Sequence, residues 1–180
     1  MLFRSNFPNY SEGRDPQELV AELNEYFAGM SAEIKAHSGM INKFIGDGIM
    51  ALWGAPVEHM DDARRAVACG VSMIARDHAF NERRAAQGKP PLRVGIGIHT
   101  GMAMVGNIGA PEKMEYTAMG DTVNRASRIE SANKQYGTQL LISETTYHLV
   151  SDLVVARCVG HAEMKGVAEA MPLYEVTGLK

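Results

Sequence analysis

The sequence is poor in cysteine, with only Cys69 and Cys158 in 180 residues. They form no Cys-x-x-Cys pair, so the pattern argues against a disulfide framework and a structural zinc site. Long apolar runs are also missing, because none approaches the ~20 residues of a membrane span. The opening residues 1–8 are too short and polar for a signal peptide. We therefore expect a cytoplasmic protein with no membrane segment in this chain.

A strong excess of charge of either sign is absent as well. There are 18 basic and 21 acidic side chains, which give a formal net charge of −3. This balance excludes a generally basic nucleic-acid binder, so no nucleic-acid partner is expected. A Walker A loop is missing, and any phosphate must be bound by other groups. Internal repeats and linker-like stretches are lacking too, which predicts a single domain over residues 1–180.

The composition that is present is that of a soluble globular protein, with 46% hydrophobic and 22% charged residues. Asp15-Pro16-Gln17-Glu18 is typical of a helix start, because it combines a capping Asp, an early Pro and a Glu three residues after the cap. Apolar residues then recur at helical spacing through Ile34. We expect this helix to end near Ser38-Gly39, with Gly39 in the left-handed cap.

Residues 40–53 contain two apolar runs around Gly46-Asp47-Gly48, which predicts a β-hairpin with Asp47 at its tip. A helix is predicted over about 61–87 and a strand over 92–100. In that strand Gly95 and Gly97 alternate with apolar residues, which indicates that another backbone approaches closely. Residues 101–108 are expected to return as the hairpin partner of this strand.

The remaining pattern predicts a helix over 122–136, a short strand over 139–143, a helix from Ser143 and a closing strand over 173–176. Residues 1–3 are compatible with the end of a further strand. Interleaved strands and helices with hairpins between them predict an α+β fold, with an antiparallel or mixed sheet covered by helices on one face.

Two residues of the predicted hairpin are candidates for chemistry. Asp47 lies between two glycines at a turn, where a carboxylate can hold a hard divalent cation. An Asp-Gly pair is also ordinary hairpin chemistry, and for a lone pair this simpler interpretation is favoured. Lys43 lies four residues earlier, and a solvated lysine is its default interpretation. Neither residue decides the function by itself.

Residues 116–130 are more informative. Asp121 or Thr122 is expected to cap a helix, which places Asn124 and Arg128 at i and i+4 on one face. An amide beside a guanidinium near a helix start can bind a ribose and a phosphate. An exposed helix face, with the arginine paired to a glutamate, is an equally good interpretation of the spacing alone.

Four collinear segments, residues 44–51, 94–101, 116–130 and 164–166 followed by 173–176, resemble successive blocks of class III nucleotidyl cyclase catalytic domains. The resemblance extends from about Phe7 to Val176 and is nearest to the bacterial adenylate cyclases. It implies a ferredoxin-like α+β core and a head-to-tail homodimer with shared active sites. Asp47 matches the second of two metal-binding aspartates, which implies two Mg²⁺ or Mn²⁺ ions per site.

The resemblance also implies roles for five further residues. Lys43 matches the lysine that reads the purine, and Thr117 matches its purine-reading partner. Asn124 matches the asparagine that orients the ribose, and Arg128 matches the arginine that stabilises the transition state. Lys165 matches the lysine that contacts the triphosphate. The metal aspartates are expected from one subunit and the other groups from its neighbour.

The sequence departs from the family at the first metal aspartate, which belongs to a Phe-x-Asp-Ile strand. Alignment on residues 7–12 puts Phe3 at that position, whereas alignment on Leu2-Phe3 puts Ser5 there. Neither residue is a carboxylate. We expect a truncated first strand, with loss of one metal ligand as the alternative.

The predicted function is therefore an adenylate cyclase that converts ATP to cyclic AMP and pyrophosphate in signal transduction. Lys43 can donate to adenine N1, and Thr117 can accept from the adenine amino group. A guanylate cyclase and a catalytically silent nucleotide-binding domain are the alternatives. Catalytic domains of this family usually form the output of longer proteins, so upstream sensor or regulatory domains are expected.

Overall fold

The structure is a computed structural model that describes residues 1–5, 15–162 and 170–180. Within these ranges the chain forms nine strands and four helices. Their bounds are β1 Leu2–Ser5, α1 Pro16–Ala36, β2 Met40–Ile45, β3 Gly48–Leu52, α2 Asp62–Ala86, β4 Val94–Ile98, β5 Met104–Ala110, β6 Lys113–Met119, α3 Asp121–Tyr136, β7 Leu140–Ser143, α4 Glu144–Val150, β8 Val154–Ala162 and β9 Met171–Leu179. No helix of the described ranges has the length and apolarity needed to cross a bilayer.

Seven strands form one mixed sheet in the order β2-β3-β1-β4-β7-β9-β8. The strands β4 and β7 are parallel, and the other neighbours are antiparallel. β1 lies between β3 and β4 and is therefore an interior strand. The α+β class with a mixed sheet is confirmed.

Helices cover both faces of the sheet, so the expectation of helices on one face is wrong. Leu2 and Phe3 are both buried, although consecutive strand residues point to opposite faces, and this requires cover on each side. Phe3 packs in the large core that α1, α2 and α4 share with the sheet. Leu2 packs on the other face, where it meets Ala126 of α3.

Close contact between α3 and β4 explains the glycines of that strand. A Cβ atom on Gly97 would lie 2.3 Å from the backbone nitrogen of Glu130 and 2.4 Å from the carbonyl oxygen of Ala126. Only glycine fits at this distance, because the obstacle is helix backbone rather than a movable side chain. The predicted close approach of another backbone is confirmed.

The strand β5 does not return to β4, so that part of the prediction is wrong. β5 pairs with β6 in a separate two-stranded ribbon, from Met104 opposite Met119 to Ala110 opposite Lys113. Both edges of β4 are already occupied by β1 and β7, which leaves no hydrogen-bonding edge for β5.

The start of α1 follows the prediction, because the Asp15 carboxylate accepts a hydrogen bond from the backbone N–H of Gln17. Its end differs, since the left-handed residue is Ser38 rather than Gly39. Gly39 is required for another reason. A Cβ atom there would lie 2.4 Å from the ring of Trp53, which packs against this turn.

Candidate active site

The side chains of Asn42 on β2 and Thr117 on β6 connect the central sheet to the ribbon. The amide Nδ2 of Asn42 donates to the carbonyl oxygen of Tyr116 at 2.8 Å, and the hydroxyl of Thr117 donates to Asn42 Oδ1 at 2.8 Å. Because a carbonyl can only accept, the Asn42 NH₂ must face Tyr116, and its oxygen must face Thr117. The hydroxyl hydrogen of Thr117 is therefore used in the bond to Asn42, and the hydroxyl oxygen can only accept a further hydrogen bond.

The default interpretation of Lys43 as a solvated lysine is incomplete, because Glu115 engages its ammonium group. Its ammonium Nζ lies 2.9 Å from Glu115 Oε2 on β6, and its side chain is 33% exposed. The hydrogen bond and charge of Lys43 hold the pKa of Glu115 below its usual range. Sequence reasoning missed Glu115, although it lies two residues before Thr117 and strand alternation places both on one face of β6.

The start of α3 differs from the prediction that Asp121 or Thr122 caps it. Gly120 precedes the helix, and no side chain caps it. Asp121 forms an ion pair with Arg125 instead, and the Thr122 hydroxyl donates to the carbonyl of Met102. Both side chains are thus engaged elsewhere, which explains the missing cap.

Asn124 and Arg128 lie one turn apart on α3, as predicted. Asn124 is exposed and Arg128 is half-buried. Arg128 borders a cavity of about 600 Å³, which is lined by Ser127, Arg128, Ser131, Ala132, Gln135, Tyr136 and His161. Only Gly120 separates β6 from α3, so the ribbon that carries Thr117 leads directly into the helix that carries Asn124 and Arg128.

Asp47 lies at the turn between β2 and β3, as predicted, and its carboxylate faces the end of β1. The Ser5 hydroxyl donates to Asp47 Oδ2 at 3.3 Å, and the Ser5 backbone N–H donates to the Asp47 carbonyl at 3.3 Å. Phe3 is instead buried in the core. Of the two alignments, the structure therefore supports the one that places Ser5 at the first metal position.

At this position the described residues place one carboxylate, Asp47, and one neutral hydroxyl, Ser5. The part of the chain that the structure describes contains no group of three or more His, Cys, Asp or Glu side chains that could hold a metal. One or two carboxylates with substrate phosphates suffice for Mg²⁺. Asp47 meets that requirement for a single ion, whereas Ser5 adds only a neutral hydroxyl.

Lys165 lies in residues 163–169, outside the described residues, so its predicted contact with the triphosphate stays a prediction. Residues 7–12, on which one of the two alignments is based, also lie outside the described residues. The other five predicted residues fall into three groups within the protomer. Lys43 and Thr117 lie at the junction of β2 with the ribbon, Asn124 and Arg128 lie on α3, and the contacts of Asp47 run to β1.

Proteins of known family align with nearly the whole length of this sequence. The family described as the adenylate and guanylate cyclase catalytic domain matches residues 1–178. Adenylate cyclase 1 of Rhizobium meliloti (strain 1021) is 46% identical over 174 residues, which cover 97% of this chain and 26% of that protein. The chain thus spans about a quarter of this curated relative.

Solved structures of cyclases share the fold. The adenylyl cyclase CyaB from P. aeruginosa superposes with a TM-score of 0.90 at 34% identity, covering 98% of this chain and 91% of that chain. The guanylyl cyclase Cya2 superposes with a TM-score of 0.86 at 40% identity, covering 99% of this chain and 91% of that chain. Because the cyclase family matches residues 1–178 and its relatives align over nearly the whole chain, the chain belongs to the class III adenylate and guanylate cyclase catalytic domain family.

Proposed function

We propose that this domain is an adenylate cyclase that converts ATP to 3′,5′-cyclic AMP and pyrophosphate in intracellular signal transduction. The observation that carries the proposal is the hydrogen-bond chain through Asn42, which makes Thr117 an acceptor beside the donor Lys43. The similarity to adenylate cyclases of Rhizobium meliloti and P. aeruginosa supports it.

Adenine presents the complementary pattern. Its N1 accepts a hydrogen bond from the Lys43 ammonium, and its 6-amino group donates to the lone pair of Thr117. Guanine reverses both positions, with an N1–H donor against Lys43 and an O6 acceptor against Thr117. Burial of such mismatched groups without partners is costly, so the site favours ATP.

The chemical step forms a bond between the ribose 3′-oxygen and the α-phosphorus. The bond from the α-phosphorus to the oxygen that bridges to the β-phosphate breaks, pyrophosphate leaves, and the 3′-hydroxyl proton passes to solvent. Asn124 orients the ribose so that its 3′-oxygen faces the phosphorus. Arg128 donates to the phosphoryl oxygens, where negative charge grows in the transition state.

Two further groups complete the proposed site. Lys165 contacts the triphosphate and offsets part of its charge. A Mg²⁺ or Mn²⁺ ion held by the Asp47 carboxylate would polarise the phosphate oxygens and lower the pKa of the attacking hydroxyl.

A head-to-tail homodimer assembles these groups, with Asp47 from one protomer and Asn124 and Arg128 from its partner. The support is a set of exposed apolar residues on the ribbon and on the hairpin of β2 and β3, the elements that carry Thr117 and Lys43. Burial of exposed apolar side chains between two protomers favours association. The members of this set are Phe44, Ile45, Met104, Met114, Tyr116 and Met119. In the full-length protein, upstream sensor or regulatory domains would control this assembly.

A guanylate cyclase is the second candidate, favoured by Glu115 and by the 40% identity to Cya2. The Glu115 carboxylate lies against Lys43 and can accept from the N1–H and N2–H of guanine. A nucleotide-binding domain without turnover is the third candidate, and the observation behind it is Ser5 in place of a carboxylate.

The test is a cyclase assay on the full-length protein with ATP and GTP in parallel, each with Mg²⁺ and with Mn²⁺. We expect cyclic AMP, with kcat/KM for ATP at least ~10-fold above that for GTP. Equal or higher formation of cyclic GMP would assign the guanylate cyclase. Nucleotide binding with no cyclic product under any condition would assign the silent domain.

A further inference from the structure

We propose that the catalytic centre of this domain is a single-cation site, formed by the Asp47 carboxylate and the Ser5 hydroxyl, and that it is filled together with the nucleotide. This inference rests on the proposed cyclase function and deepens it. It concerns how many divalent ions the residues of this chain can hold.

The sheet fixes Ser5 beside Asp47. Its backbone N–H donates to the Asp47 carbonyl and its hydroxyl donates to Asp47 Oδ2, both at 3.3 Å. The residue is 3% exposed and pairs with Val94 of β4. No carboxylate of β1 can take its place, because the other residues of this strand are Leu2, Phe3 and Arg4.

Arg4, the neighbour of Ser5 on β1, does not supply a ligand either. Alternation along β1 directs its side chain to the face opposite Ser5, between Gly48 and Gly95 of the neighbouring strands. There its charge lowers the pKa of Glu130, although burial raises that pKa more strongly. Arg4 therefore neither coordinates a cation nor adds negative charge beside Asp47.

The number of charged protein ligands differs from what a pair of ions needs. Asp47 is the one carboxylate at this position, and Ser5 contributes a neutral hydroxyl. The remaining anionic oxygens around a cation are those of the triphosphate. Affinity for hard cations depends on the number of charged oxygen ligands, so the second ion lacks the ligand that would hold it. The first ion, with one carboxylate, depends on the phosphates of the nucleotide.

The decisive experiment counts ions in the intact wild-type protein. Bound Mn²⁺ is titrated by electron paramagnetic resonance with 3′-deoxy-ATP, which cannot cyclise because it lacks the attacking hydroxyl. We expect one Mn²⁺ per nucleotide, and Mn²⁺ affinity at least ~10-fold weaker without the nucleotide. Two Mn²⁺ per nucleotide in the wild type would overturn the proposal.

Matched substitutions at Ser5 sharpen the result. Ser5→Asp supplies the second carboxylate. Ser5→Asn introduces a side chain of the same size as Asp but without its charge. We expect Ser5→Asp to bind two Mn²⁺ per nucleotide and to have a Tm that Mn²⁺ raises, because the ion separates two adjacent carboxylates. Ser5→Asn should keep the wild-type stoichiometry. A Ser5→Asp protein that folds and still binds one ion would contradict the proposal.

These measurements separate the inference from the proposed function, because ion binding is counted without turnover. If neither the wild type nor Ser5→Asp forms cyclic AMP while the stoichiometry is as expected, the cyclase function fails and the single-cation site stands. If the wild type forms cyclic AMP and binds two ions, only the single-cation site fails. If Ser5→Asp does not fold, the wild-type count still decides.

Discussion

Two regions of the proposed site differ in the property that their contacts determine. One is the proposed base-reading region at β2 and β6, and the other is the proposed metal region at β1 and the hairpin tip. Around Lys43 and Thr117, neighbouring groups set which atoms donate and which accept. Around Asp47, a neutral hydroxyl stands where a second charge is expected. Under the proposed function, base selectivity would depend on hydrogen-bond direction within one protomer, whereas cation affinity would depend on the number of charged ligands.

This difference implies that the two regions respond differently to substitution. A hydrogen-bond direction is lost when a neighbour that holds it is removed, even if that neighbour never contacts the nucleotide. The number of charged ligands at the metal site changes only when a charged side chain is added or removed there.

The largest effect is expected for Arg128→Ala. Loss of one donor to the transition-state charge typically lowers kcat ~10²–10³-fold, while KM for ATP changes little. Steady-state kinetics with ATP measure both constants. The matched control is Arg125→Ala on the same helix, where the arginine pairs with Asp121 and should leave kcat near the wild type. A raised KM with unchanged kcat for Arg128→Ala would contradict this role.

The double variant Lys43→Glu with Thr117→Cys should invert the base-reading pattern. A carboxylate accepts from guanine N1–H, and loss of the Thr117 acceptor removes the match to the adenine amine. We expect the ratio of kcat/KM for ATP to that for GTP to fall ~10²-fold, with a lower overall rate. If the wild type already uses both nucleotides equally, the adenine assignment fails even though the enzyme is a cyclase.

A smaller effect is expected for Asn42→Ala, which removes the acceptor of the Thr117 hydroxyl together with the donor to the Tyr116 carbonyl. Without Asn42 Oδ1 the Thr117 hydroxyl can rotate and donate to guanine O6, so discrimination against GTP should fall ~10-fold, equivalent to about 1.4 kcal/mol. Asn107→Ala, which removes an exposed amide from the same ribbon, is the control. Unchanged discrimination in Asn42→Ala would show that the direction of the Thr117 hydrogen bond is irrelevant.

The last prediction concerns the subunits that supply the two regions. Asp47→Ala and Arg128→Ala chains should each be inactive as homodimers. In a random equal mixture half of the dimers are mixed, and each mixed dimer has one intact site, so activity should recover to about a quarter of the wild type. Activity is measured after the chains have been unfolded, mixed and refolded together. No recovery, with mixed dimers verified by mass, would exclude a shared site.

Local patterns predicted the elements that depend on neighbouring residues. The cap at Asp15, the hairpin around Asp47 and the helical spacing of Asn124 and Arg128 all follow from interactions within a few residues, and the structure confirms them. The resemblance to cyclases predicted the family, which the relatives confirm. The strand β8 was not predicted, because its residues show no clean alternation.

Errors arose where a residue serves a distant partner. Gly39 was interpreted as a helix cap because it follows a helix, but Trp53, fourteen positions later, is what requires a glycine there. Thr122 had the right chemistry for a cap, but the carbonyl of Met102, twenty positions earlier, engages its hydroxyl instead. Asp121 is the exception, because its partner Arg125 lies one helical turn away. Strand β5 was assigned to β4 because the two are consecutive, yet β1 and β7 occupy both edges.

By itself, the sequence determined which side chains are available: one lysine and one threonine for the base, an amide and a guanidinium one helical turn apart, and Asp47 at a turn. Only the tertiary structure decided what they do together. It oriented the Thr117 hydrogen through Asn42, brought Glu115 to Lys43, and set Ser5 against Asp47 at the end of β1. The physical reason is that donor direction and ligand count depend on atoms that are far apart in sequence, and only strand pairing brings those atoms within hydrogen-bonding distance.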